Sequence, residues 1–173
     1  MGIECYGVSL YSAEPTDAIA KAISQRPFIE PCGEHALLGG RKFEYADGRH
    51  LIELLLTKRE DGSCLDIRFA LSNHSSVDEP FIEITRWAVS LMSPVIWPMN
   101  ATKMIRESLP FSTDLAFFEV VRSEIAAIRG RWIENFDPPR GSVRVDQAWS
   151  IVFQRKGDQP PEPTRPFRPS GSS

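Results

Sequence analysis

Cys32-Gly33-Glu34-His35 places a thiol three residues from an imidazole. A thiolate beside a histidine is an activated nucleophile, and both side chains are zinc ligands. A structural zinc needs four convergent ligands, however, and the nearest further candidates, His50, Cys64 and His74, fall in three separate predicted elements. An ordinary loop, without metal, is the expected role of this stretch. His74 lies in Ser72-Asn73-His74-Ser75-Ser76, a polar turn that could hold a general base, although loop histidines are mostly solvated. The chain carries no Gly-x-Ser-x-Gly elbow, no Gly-x-x-x-x-Gly-Lys phosphate cradle, no His-Glu-x-x-His and no Gly-x-Gly-x-x-Gly. Acids adjoin only at Glu60-Asp61 and Asp78-Glu79, where a turn and a helix cap account for them. No catalytic residue, metal or cofactor is therefore predicted.

The residues that could instead meet a partner are acidic and aromatic. Trp132 and Trp149 share parity with predicted core positions, whereas Trp97, between Ile96 and Pro98, sits in irregular chain where an exposed tryptophan often anchors an interface, although a core position is the commoner role. Glu134 and Asp137 near the end of the longest predicted helix, with Asp146 beyond it, could edge an acidic patch, and Glu60-Asp61 could form another. The candidate partner-binding set is Glu60, Asp61, Trp97, Glu134, Asp137 and Asp146.

These residues need a scaffold. The length of 173 residues, 42% hydrophobic and 25% charged, suits one soluble domain with a real core. A net charge of -3 argues against direct binding of nucleic acid, which calls for a basic excess, and favours a basic protein partner. Arginine outnumbers lysine fifteen to five, a bias that gene composition explains at least as well as interface chemistry. Three widely spaced cysteines argue against a disulfide framework, the first residues lack a secretory pattern, and no stretch approaches a bilayer span. A cytoplasmic location and no membrane contact are expected.

Hydrophobic periodicity supplies the elements. Residues 112–136 read as the longest helix, with Phe118, Val121, Ile125, Ile128 and Trp132 on one stripe, Ser112 at its start and Asp137-Pro138-Pro139 as its stop. Residues 3–11 alternate as a first strand, and 15–26 form a short helix closed by Pro27 and Pro31. Strands at 35–45, 49–57 and 63–71 are divided by Asp47-Gly48 and Asp61-Gly62, which gives a meander with one wet face. Gly39-Gly40 reads as a bulge or a close backbone approach. Ser76-x-x-Glu79 has the spacing of a capping box for a helix ending before Pro94. Within 94–110 the pattern leaves open a short strand or a buried turn at 95–97, and residues 142–154 read as a last strand. The predicted architecture is an α+β two-layer sandwich, a mostly antiparallel sheet of about five strands with helices packed on one face. One domain covers 1–156, and the proline-rich 157–173, with five prolines, forms an extended or disordered tail.

A small acidic domain with one helical layer on a meander, together with Gly39-Gly40-Arg41 and Gly130-Arg131-Trp132, resembles the immunity proteins of bacterial polymorphic toxin systems. The likeness is to those encoded beside restriction-endonuclease-like nuclease toxins, and it covers about residues 3–155. It implies a protein that binds a cognate toxin in the producing cell and blocks its active site or substrate access, with no catalysis of its own. No individual binding residue carries over. The competing expectation is a small enzyme or ligand-binding domain built on Cys32, His35 and His74, and a third is a phage or secretion-system accessory protein using Trp97 or the tail. A deep pocket gathering those three side chains would mark the enzyme, and a shallow charged face the inhibitor.

Overall fold

A computed structural model of the chain describes residues 5–35, 39–92, 95–98 and 115–136. Alternation along β1 (Cys5–Ser12) sends Tyr6, Val8 and Leu10 to one face, where all three are fully buried. β5 (Gly62–Ala70) does the same with Leu65, Ile67 and Phe69, and pairs antiparallel to β1 with Val8 opposite Ile67 and Leu10 opposite Leu65. β4 (Leu51–Arg59) continues that buried row on the other side of β5, with Leu54 opposite Ile67 and Leu56 opposite Leu65. β3 (Arg41–Ala46), β2 (Ile29–Glu34) and β6 (Val95–Pro98) complete an antiparallel sheet in the order β2-β3-β4-β5-β1-β6. Removing each large aliphatic side chain of the row from water stabilises the fold by roughly 1.5–3 kcal/mol before entropy is counted.

Among the described residues three helices cover this face. α1 (Thr16–Ser24) contributes Ile19 and Ile23, α2 (Asp78–Met92) contributes Phe81, Ile84 and Ala88, and α3 (Leu115–Phe136) contributes Phe118, Val121, Ile125 and Ile128 to one continuous core. The fold is an α+β sandwich of a single helical layer on an antiparallel sheet. At its centre Phe81 meets both Tyr6 and Phe69 edge-on, Phe69 at 5.0 Å between centroids and 65° between planes, while Tyr6 and Phe69 are tilted to each other. The Tyr6 hydroxyl reaches past this trio to donate to Glu124 Oε2 of α3 at 2.8 Å.

Three local features differ from the sequence expectation. Residues 29–34 form β2 despite Pro31, because the register slips between Pro31 and Glu34 and β2 lies last in the described order, where a missing amide costs least. Residues 95–98 are a strand, one of the two forms the sequence pattern leaves open. The helix at 78 is preceded by a 3-10 turn, Ser75–Val77, whose cap is His74, Nδ1 accepting from the Ser76 amide at 3.2 Å, while Glu79 is drawn away to Arg122. The sheet face away from the helices is not uniformly wet: Glu53 is 3% exposed and takes Arg68 from the opposite strand at 2.8 Å, and Leu55 and Thr57 beside it are buried. Gly40 is a close approach, since a Cβ there would stand 2.6 Å from Thr57 Cγ2 and 2.8 Å from the Leu56 carbonyl.

The expected helix start at Ser112, the strand at 142–154 and the tail at 157–173 lie outside the described residues. No helix among the described residues is long and apolar enough to cross a membrane.

Candidate functional site

The β4–β5 turn is the better-defined half of the predicted partner surface. Asp61-Gly62 turns the chain so tightly against the end of β1 that a Cβ on Gly62, whose φ is +142°, would lie 2.1 Å from the Ser12 carbonyl oxygen. Ser63 holds the turn there, donating to the Glu14 carbonyl at 2.8 Å and accepting from the Thr16 hydroxyl at 2.8 Å. Glu60 and Asp61 are exposed at the tip, next to exposed Lys58 and Arg59. The turn stands between two open clefts, of about 780 Å³ beside Tyr11 and about 480 Å³ beside Arg41, and its residues Lys58, Arg59, Glu60 and Gly62 line both. Its charge is therefore mixed rather than purely acidic. Asp17 and Arg41 pair across the rim of the second cleft at 2.6 Å, an exposed bridge that adds little to stability.

The other predicted partner residues are placed elsewhere. Trp97 is in β6, registered opposite Ser9 in the middle of β1, and Glu134 is in the last turn of α3. Asp137 and Asp146 lie outside the described residues.

Cys32, His35 and His74 do not converge. Cys32 is exposed in β2 and His35 follows at the β2–β3 connection, where its amide donates to the Gly40 carbonyl at 2.7 Å. His74 belongs to the opposite end of β3, beyond the β3–β4 turn. No group of three or more His, Cys, Asp or Glu among the described residues could hold a metal ion.

His74 meets a different set of side chains. Ser76 Oγ is 2.9 Å from His74 Nδ1 and 2.8 Å from His50 Nε2, and His50 Nδ1 is 2.8 Å from Asp47 Oδ2. Asp47 is fixed by its turn, Oδ1 accepting from the Arg49 and His50 amides at 2.9 and 2.7 Å, and Oδ2 also accepting from the Tyr45 hydroxyl at 3.0 Å. Burial works to raise its carboxyl, but the His50 ring, these amides and Tyr45 together hold it well below the usual carboxylate range. The loop carrying His74 and Ser76 is tied down on two sides. Asn73 Nδ2 donates to the Leu51 carbonyl at 3.2 Å, and buried Arg129 of α3 donates to the Leu71 and Asn73 carbonyls at 3.1 and 2.8 Å and pairs with Asp78.

The grouping of Asp47, His50 and Ser76 is what sequence reasoning missed. Asp47 was visible as a turn former, His50 as an isolated candidate ligand and Ser76 as a cap, but His50 and Ser76 are 26 positions apart and meet through the β4–β5 hairpin. Comparison with protein families, curated proteins and solved structures gives no match.

Proposed function

We propose that this chain is a binding protein that neutralises a cognate bacterial toxin by covering its active site, as the immunity proteins it resembles do. The observation that carries this reading is the β4–β5 turn, which exposes Glu60 and Asp61 together on a braced ridge between two clefts. A rigid ridge gives up little entropy on docking, and its mixed charge sets the partner's chemistry: cations facing Glu60 and Asp61, carboxylates facing Lys58 and Arg59. A nuclease toxin suits that description, because its substrate cleft is lined with cations for phosphate. The reading places the protein in the cytoplasm of the producing cell.

The test is co-expression with the product of the adjacent gene. The two proteins should co-elute, and this chain should restore growth to cells making that product. Failure of the folded wild-type chain both to bind and to restore growth removes the reading.

A further inference from the structure

We propose that Ser76 is the nucleophile of an acyl-transfer centre in which His50 is the base, Asp47 orients it, and a nearby cleft with one aromatic wall receives the acyl group of a small ester. The protons are already arranged for this. A carboxylate only accepts, so Asp47 requires the hydrogen of His50 to be on Nδ1, which leaves the Nε2 lone pair facing Ser76 Oγ at 2.8 Å. His74 Nδ1, also near Oγ, is engaged by the Ser76 amide at 3.2 Å. Ser76 stands just ahead of α2, whose positive end favours negative charge developing on Oγ.

The relay has a binding surface beside it. Pro27, Phe28, Tyr45, Pro80 and Ile84, with the charged Arg26 and Glu83, line a cleft of about 240 Å³, and the hydroxyl of the same Tyr45 bonds Asp47. Phe28 is 61% exposed and holds φ at +65°, a conformation that L side chains adopt at a cost. An exposed, strained phenylalanine does nothing for the core, whereas as a cleft wall edge-on to Tyr45 at 6.1 Å it offers an aromatic surface to an acyl chain. The cleft's size restricts the substrate to short or small aromatic acyl groups. The centre is independent of the toxin-binding reading, since it lies at the opposite end of β4 from Glu60 and Asp61.

In the reaction Ser76 Oγ bonds to the ester carbonyl carbon as its proton passes to His50 Nε2. The bond to the leaving alkoxide breaks and that oxygen takes the proton from His50. Solvent water then adds to the acyl carbon, giving its proton to Nε2, and the acyl–Oγ bond breaks as Ser76 recovers the proton. The sum is ester plus water to acid plus alcohol.

The experiment treats the full chain with a fluorophosphonate probe and, separately, with p-nitrophenyl acetate. The expected result is one adduct per chain, mapped by mass spectrometry to Ser76, and a burst of p-nitrophenolate. Ser76→Ala should lose both, Ser75→Ala should keep both, and His50→Gln should slow the burst by about a hundredfold. Phe28→Gly should raise KM for longer acyl chains more than it lowers kcat. Mapping on the wild-type chain decides the matter even where a variant fails to fold. A folded wild-type chain that takes no label at Ser76, or a burst undiminished in folded Ser76→Ala, overturns the proposal.

Discussion

Asp47 is half-buried at a turn and accepts from two amides, an imidazole and a phenol, so protonating it disrupts a folded feature rather than a bare surface group. Its carboxyl sits below the ordinary value of 3.8 when folded, so near that pH the unfolded chain binds more protons than the folded one. The stability it contributes is complete above the unfolded value and is lost as pH falls below about 4. Urea unfolding across a pH series should show the midpoint falling there, and Asp47→Asn should flatten that part of the curve while lowering stability at neutral pH. An unchanged acid slope in the variant would remove Asp47 from this role. Gly62 makes a second prediction at the same scale. Its backbone conformation, and the 2.1 Å that would separate an added Cβ from the Ser12 carbonyl oxygen, leave no room for a methyl group, so Gly62→Ala should cost about 2 kcal/mol or more, read by denaturant unfolding. Tyr6→Phe removes the donor that reaches Glu124 and should cost about 1–2 kcal/mol by the same measurement.

Helix α3 is held by a few polar anchors as well as by its buried stripe. Arg129, with its side chain 7% exposed, spends its guanidinium on two carbonyls and Asp78 and covers the Phe69 ring at 5.6 Å. A lysine can supply the charge but not the fork, so Arg129→Lys should destabilise by about 2–4 kcal/mol, with proteolysis reaching α3 before the sheet. Equal stability and an unchanged cleavage pattern would show that the apolar stripe suffices. The elements with strong periodicity were legible: β1, β4, β5 and the Phe118–Ile128 stripe of α3 each repeat an apolar residue at the spacing their backbone imposes. β2 was not, because its side chains after Ile29 are exposed and Pro31 and Gly33 read as loop. The His74 cap was hidden for a related reason, since the Ser76 hydroxyl that the capping pattern nominates is committed to His50 and His74 instead.

Over the whole molecule the sheet separates two surfaces. At one end the β4–β5 turn presents Glu60 and Asp61 between open clefts, and at the other the β3–β4 turn, the 3-10 turn and the start of α2 bring Asp47, His50 and Ser76 together. The first was readable from the sequence, because two adjacent acids before a glycine specify both the turn and its exposure. The second needed the fold, because its members come from separate loops and none has a local signature. The toxin-binding account depends on the first surface alone. Titration calorimetry of the adjacent gene's product against wild-type chain and against a Glu60→Lys, Asp61→Lys variant tests it most directly. The account predicts tight binding by the wild type and a loss of about a hundredfold or more in the variant, with its thermal midpoint little changed. Equal affinity of the two would contradict it.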